Sequence, residues 1–267
     1  METIQKDDYI AKNMAGVKRK FMVFSGKGGV GKTTTSVNLA YSIMSKGYNV
    51  GLLDIDIHGP DIIKIMGLED ARLGGAGDRI EPIKPFPAMK VISTALILED
   101  EDTPVIWRGP LKMKLIQQYL GDVNWGELDY LIIDSPPGTG DEPLSIAQLL
   151  PDLDGGIIVT TPQDLATLDA RKSIKFAQQL KLNYIGVIEN MSGFICPHCN
   201  KRVDIFKTGG GYRIASEMGV DFLGRVPYDI KLMSLSDEGH IYIKDIKNGT
   251  QVSEAYKHIS DRIINIK

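Results

Sequence analysis

From residue 20 to 226 the chain repeats one alternation, a short apolar run of β-type residues followed by a stretch whose apolar positions recur every three or four residues. The runs are Phe21-Met22-Val23-Phe24, Val50-Gly51-Leu52-Leu53-Asp54, Val91-Ile92-Ser93, Tyr130-Leu131-Ile132-Ile133-Asp134, Gly156-Ile157-Ile158-Val159-Thr160, Ile185-Gly186-Val187-Ile188 and Phe222-Leu223-Gly224-Arg225-Val226. Several are apolar throughout rather than at every second position, as parallel strands covered on both faces require. The clearest helix lies between them at 165–181, with Ala166, Ala170, Ile174, Ala177 and Leu180 on one stripe. Strand and helix in this order predict an α/β fold, a doubly wound, mainly parallel sheet with helices on both faces. A last stripe at 251–264, made by Val252, Ala255, Tyr256, Ile259 and Ile263, predicts a closing helix packed on the sheet, with a membrane-surface helix as the alternative.

The remaining segments read as connections. Residues 1–19 end in a basic cluster, Lys18-Arg19-Lys20, and are expected to be a loosely held arm; 20–267 then form a single domain. Two loops are expected, a glycine-rich one at 74–87 and an acidic one, Glu99-Asp100-Glu101-Asp102.

Composition narrows the class. Of 267 residues 43% are apolar and 24% charged, enough to bury a proper core. The 31 basic and 34 acidic residues leave a formal charge of −3, which argues against a globally basic nucleic-acid binder. No uncharged apolar run approaches the roughly 18 to 20 residues of a membrane helix, and Met1-Glu2-Thr3-Ile4-Gln5-Lys6 has no signal-peptide core. The expectation is a soluble, cytoplasmic protein with no nucleic-acid or membrane partner. Two cysteines cannot staple a chain of this size, so a disulfide framework is excluded.

Directly after the first strand stands Gly26-Lys27-Gly28-Gly29-Val30-Gly31-Lys32-Thr33-Thr34, which meets G-x-x-x-x-G-K-[ST] at every fixed position. It lies between a buried strand and an amphipathic stretch carrying Val37, Leu39, Ala40, Ile43 and Met44, the context this phosphate-binding loop needs. Backbone N–H groups turn toward phosphate oxygens where no side chain obstructs them, and the helix N-terminus adds partial positive charge. Lys32 is expected to bridge the β- and γ-phosphates of ATP, and Thr33 to place its hydroxyl on magnesium. Lys27 is not needed for this cradle and on its own could simply face solvent. However, Lys27-Gly28-Gly29-Val30-Gly31-Lys32-Thr33 resembles the deviant Walker A loop of the MinD, ParA and nitrogenase-iron-protein class of ATPases. That resemblance implies that Lys27 reaches the phosphates of a partner subunit, hence a nucleotide-linked homodimer.

Hydrolysis also needs an oriented water and a held metal. Asp54 and Asp56 end the second strand run, where their spacing puts both on one side so that the pair can face one site. Asp134 ends another run and opens Asp134-Ser135-Pro136-Pro137-Gly138-Thr139-Gly140-Asp141, where Gly138 and Gly140 allow a loop to move with phosphate state. Similarity to the class assigns Asp56 to water positioning and Asp134 to magnesium through its water shell; capping of the turns that follow is the structural alternative. The same similarity places adenine between Asn190 and the loop Pro227-Tyr228-Asp229, although Asn190 reads equally well as a turn residue.

Both cysteines lie in Cys196-Pro197-His198-Cys199. C-x-x-C is half of a zinc site, half of an iron-sulfur site, or a redox dithiol. The redox reading expects the motif early in a thioredoxin fold, whereas here it follows a late strand of a phosphate-loop domain. No further cysteine exists to complete four thiolates, but two chains related by a two-fold axis bring two plus two. His198 is either a third ligand or a solvent-facing neighbour.

Four segments together resemble the Mrp/ApbC family of iron-sulfur carrier ATPases: the loop from Ser25 to Thr34, Asp54-Ile55-Asp56-Ile57-His58-Gly59-Pro60, the run from Asp134 to Asp141, and Glu189-Asn190-Met191-Ser192-Gly193-Phe194-Ile195 leading into the cysteine motif. Ile205-Phe206, Gly209-Gly210-Gly211 and Ser236-Asp237-Glu238-Gly239 also fit, so the likeness runs over 16–239. Membership implies an ATP-hydrolysing homodimer that bridges a [4Fe-4S] cluster through Cys196 and Cys199 of both subunits and hands it to apo iron-sulfur client proteins. Asn200 stands where a glycine is common and His58 where a tyrosine is common. The chain shows neither the cysteine-rich extension nor the small leading domain of some relatives, so a second cluster site per subunit is not expected. The competing readings are a partition or positioning ATPase acting on DNA or membrane, which gives the cysteines no work, and a zinc-bridged nucleotide switch.

Overall fold

The computed structural model describes residues 2–57, 59–77, 79–97, 109–196, 198–199, 201–246 and 249–266. The expected acidic loop at Glu99-Asp100-Glu101-Asp102 lies outside them, as do His58 and Asn200. In chain order the elements are α1 (Glu2–Met14), β1 (Val17–Ser25), α2 (Lys32–Met44), β2 (Val50–Asp54), α3 (Ile62–Ile65), β3 (Gly74–Ala76), β4 (Arg79–Glu81), β5 (Ile83–Phe86), β6 (Met89–Ser93) and α4 (Gly109–Gly121). There follow β7 (Leu128–Asp134), α5 (Asp141–Leu149), β8 (Gly155–Thr160), α6 (Asp164–Gln179), β9 (Tyr184–Glu189), β10 (Phe194–Ile195), β11 (Arg202–Val203), α7 (Gly210–Met218), β12 (Asp221–Arg225), α8 (Ile230–Asp237), α9 (Tyr242–Asp245) and α10 (Gln251–Ile264).

Eight strands form one sheet in the order β12-β9-β8-β1-β7-β2-β6-β5. Every pairing is parallel except the outermost, where β5 runs antiparallel to β6 and carries Lys84 and Pro85. Alternation along each central strand explains why the runs are apolar throughout. In β1, Phe21 and Val23 face a core shared with α2, α3, α8, α9 and α10, while Met22 and Phe24 face a second core with α1, α4, α6 and α7. Leu52 and Leu53 of β2 divide in the same way, as do Ile157 and Ile158 of β8. Each such side chain taken fully out of water contributes about 1.5–3 kcal/mol. The closing helix α10 buries Val252, Tyr256, Ile259 and Ile263 in the first core, against α2 and β12.

Two expectations are corrected here. The segment read as a loose arm is helical over Glu2–Met14 and seats Ile10 and Met14, each 2% exposed, in the second core; β1 then begins at Val17. The basic cluster lies inside β1, where each member meets a carboxylate: Lys18 with Asp129 at 2.8 Å, Arg19 with Asp154 at 2.8 Å and buried Lys20 with Asp152 at 2.7 Å. The glycine-rich loop is also more ordered than expected, holding the β3–β4 hairpin and edge strand β5.

Chain order places the site. From β1 the chain moves toward β2 and β6, returns through β7, and then continues on the other side with β8 and β9. The carboxyl ends of β1, β7, β2 and β9 therefore converge at the reversal point, where doubly wound sheets bind ligands.

Candidate functional site

The phosphate loop joins β1 to α2 and is shaped by backbone that only glycine adopts cheaply: φ is +78° at Gly29 and +80° at Gly31. A Cβ at Gly28 or Gly29 would meet no atom within 4 Å, because both face an open cavity of about 260 Å³. A Cβ at Gly31 would collide with the Asn190 amide, and one at Gly26 with the backbone of Asp169 in α6. The loop is thus pressed against protein at Gly26 and Gly31 and open toward the cavity between them. Lys27, Lys32, Thr33, Thr34 and Asp56 also line that cavity.

Asp134, at the end of β7 and fully buried, gathers the positive and hydroxyl groups of this end. Its Oδ2 accepts from Lys32 Nζ at 2.7 Å and Thr33 Oγ1 at 2.9 Å, and its Oδ1 from Ser36 Oγ at 2.6 Å. Lys32, itself only 6% exposed, also lies 3.9 Å from Asp56 Oδ2. Asp56 Oδ1 accepts from Gly59 N–H at 3.3 Å, which ties the loop after β2 to the cavity. Leaving any one of these buried groups without its partner would be costly.

Asp54 does not face the cavity beside Asp56. It lies beneath, wholly buried, accepting from Ser93 Oγ at 2.8 Å and Asp56 N–H at 3.0 Å, and so holds the turn that presents Asp56. Burial, and then the charge of Asp134, pushes the Asp54 carboxyl well above the usual carboxylate range.

A second cavity of about 290 Å³ opens on the other side of Gly31 and Thr34, which line both. Asn190, Met191, Pro227, Tyr228 and Asp229 form one wall, and α3 and α8 the other through Lys64, Ile65, Leu232 and Met233. The two cavities make one cleft with a glycine-rich, lysine-bearing end and a largely apolar end. That is the shape and polarity of a nucleoside polyphosphate. The Asn190 amide is engaged, donating from Nδ2 to the Val30 carbonyl at 2.8 Å, so its bond is to the phosphate loop. Asp229 caps α8 through Lys231 N–H and accepts from the Tyr242 hydroxyl.

The cysteine motif lies at the tip of the β10–β11 hairpin, which continues from Asn190. Cys196 N–H donates to the Lys201 carbonyl at 3.0 Å and closes the turn; its side chain is half-buried and that of Cys199 is exposed. Backbone N–H groups of Cys199 and then His198 point at the Cys196 sulfur and draw its thiol below the usual range, favouring the metal-binding thiolate. Among the described residues no three His, Cys, Asp or Glu side chains gather as a metal site.

Sequence reasoning missed three positions. Ser36 lies one helical turn after Lys32, a spacing that brings it to Asp134. Ser93 ends β6 beside Asp54, which only strand pairing makes visible. Glu189, fully buried, accepts from Ser192 Oγ at 2.5 Å, Gly209 N–H at 2.9 Å and Gly211 N–H at 2.6 Å, capping α7 and holding both ends of the hairpin.

Comparison with known proteins places the chain in a family. The ParA family model described as NUBPL iron-transfer P-loop NTPase matches residues 16–264. An iron-sulfur cluster carrier protein of Methanocaldococcus jannaschii is 51% identical over 260 residues, 97% of this chain and 89% of its own. The cytosolic Fe-S cluster assembly factor CFD1 of Saccharomyces cerevisiae is 45% identical over 231 residues, 84% of this chain and 79% of its own. Among solved structures, a nucleotide-binding protein of Archaeoglobus fulgidus in complex with ADP superposes with a TM-score of 0.79 at 36% identity, covering 90% of this chain and 94% of the other.

Proposed function

The chain belongs to the NUBPL iron-transfer P-loop NTPase family, and from that premise we propose that it binds and hydrolyses ATP and carries a [4Fe-4S] cluster as cargo for apo-proteins. The observation that carries the reading is the continuity of the two sites. The segment leaving β9 puts Asn190 on the phosphate loop and Met191 in the wall of the base cavity, then becomes the hairpin that ends in Cys196 and Cys199.

In this reading the N–H groups of 28–31 and the Lys32 ammonium hold the phosphates, Lys32 turning from Asp134 toward them. Thr33 and Asp134 have the hydroxyl and carboxylate that hold magnesium, which when bound neutralises charge on the phosphates. Asp56 lies across the cavity from the loop and orients the attacking water. Asn190 and residues 227–229 take the base. Lys27 serves the partner's nucleotide across a homodimer. Each subunit gives two thiolates to one cluster at the two-fold axis, because one chain supplies only two. The cytosolic yeast relative supports a cytoplasmic location.

Anaerobic reconstitution with iron and sulfide tests the cargo. The wild type is expected to gain the visible absorption of a cluster and about two iron atoms per chain, four shared between two, and Cys196→Ala to gain neither. A wild type that stays colourless, or a mutant loaded equally, removes the carrier reading. For the ATPase, Lys27→Ala is expected to keep nucleotide binding and lose hydrolysis; unchanged turnover removes the shared lysine and the dimer argument with it.

A further inference from the structure

The wall that closes the base cavity also holds the cysteine hairpin. Pro227, Tyr228 and Asp229 line the cavity. On its other side Tyr228 N–H donates to the Gly193 carbonyl at 2.8 Å, Ser192 N–H donates to the Val226 carbonyl at 3.0 Å, and Phe194 pairs with Tyr228 as an isolated parallel bridge. The Tyr228 ring stands edge-on to Phe194 and to Phe206, each at a centroid distance of 6.0 Å. Phe194 is in β10, and Phe206 follows β11 in the turn toward α7. One tyrosine therefore touches β10 and the segment that follows β11 from the side of the nucleotide cleft.

The hairpin cannot hold its own geometry. Its ladder is two residue pairs long, Phe194 with Val203 and Ile195 with Arg202, and a ribbon of that length has little independent stability. Among the described residues it is held by the Tyr228 contact and by the buried Glu189 carboxylate, which binds Ser192 Oγ and the N–H groups of Gly209 and Gly211, while Ser192 and Arg202 also reach Thr208. The Glu189 support sits at a strand end in the core. The Tyr228 support is a cavity wall, and a bound base presses on it directly. Between them Met191, which lines the same cavity, holds a left-handed backbone at φ +55°, a conformation a non-glycine side chain keeps only when its surroundings impose it.

We propose that Tyr228 is a positioning residue that transmits occupancy of the base cavity to Cys196 and Cys199, so that nucleotide binding fixes the orientation of the two thiols. The proposal rests on reading this cleft as the nucleotide site and deepens the carrier reading by naming the link between fuel and cargo. The coupling is reciprocal, so whatever fixes the hairpin also tightens the nucleotide.

The test uses the full-length, reduced, metal-free protein and measures alkylation of each cysteine by iodoacetamide with and without saturating ADP. In the wild type ADP is expected to slow the reaction about fivefold or more, the lower end of ordinary coupling between sites. Tyr228→Phe keeps the ring and is expected to keep the slowing. Tyr228→Ala is expected to lose it, reacting at the same rate with and without ADP. Phe206→Ala lies outside the cavity wall, so it decides the matter if Tyr228→Ala no longer binds ADP: loss of slowing with ADP still bound supports the link. Thiol rates independent of ADP in the wild type, or full slowing in Phe206→Ala, overturn it. No metal or cluster enters this assay, so its failure leaves the carrier reading standing, and a failed reconstitution leaves the coupling standing.

Discussion

The two halves of the cleft region are built on opposite principles. Around Asp134 the polar side chains meet one another: Lys32, Thr33 and Ser36 converge on one carboxylate, and the Asp54 carboxyl beneath is met by Ser93 and a backbone N–H. At the hairpin tip one sulfur is half-buried, the other exposed, and the ladder behind them two pairs long. The first region is finished before any ligand arrives, so ligand binding there exchanges one set of polar partners for another. The second is a pair of free thiols open to solvent. In the function proposed above, preorganisation suits a fuel that is always the same, and openness suits a cargo that must leave.

Substitutions that break this contrast differ in size. The largest effect is expected from Lys32→Ala, which removes the cation facing the phosphates and leaves Asp134 without its ion pair. ATP binding measured by calorimetry should fall beyond detection, whereas a retained micromolar affinity would show that the loop backbone suffices. Next comes Gly31→Ala, which forces a side chain into left-handed backbone against Asn190. Strain of that kind costs about 1–3 kcal/mol, visible as a lower denaturation midpoint in urea together with weaker nucleotide binding. An unchanged midpoint would mean that Asn190 and Val30 are not bonded as described.

A smaller effect carries a sign. The Asp54 carboxyl is raised in the fold, so the native state holds a proton that the unfolded chain has released, and stability falls as pH rises from the ordinary carboxylate range through the raised native value. Asn at this position keeps the acceptor for Asp56 N–H and has no charge to bury. Asp54→Asn in the nucleotide-free protein should therefore flatten that part of the stability profile between pH 4 and 8, and a slope equal to wild type would assign the fall to other groups. The smallest effect belongs to the hairpin tip. Cys199→Ala should change stability by no more than about 0.5 kcal/mol, as exposed positions do; a loss of several times that would make the tip part of the framework and erase the contrast.

All seven apolar runs read from the sequence lie in the central sheet, because strands buried on both faces announce themselves without reference to their neighbours. Edge strand β5 stayed hidden: in Ile83-Lys84-Pro85-Phe86 the lysine and proline read as a loop, and only pairing with β6 makes it a strand. Helix α1 reads as a tail because, among its described side chains, only Ile10 and Met14 are buried, too thin a stripe to separate from a polar terminus. The phosphate loop was legible since its chemistry depends on residues adjacent in sequence. The Asn190 bond to Val30 was not, since 160 positions separate the partners. The role of Glu189 was not legible either, because its partners, the α7 N–H groups, Ser192 and Arg225, are brought to it by the fold.

Strand β5 has a bearing on assembly. Its Pro85 has no N–H to offer a further strand and Lys84 puts a charge beside it, so this margin of the sheet cannot recruit another chain by backbone pairing. Two copies of the molecule are thereby prevented from fusing their sheets along that border into one continuous ribbon. Any union of copies that involves it must be made by side chains rather than by a backbone ladder.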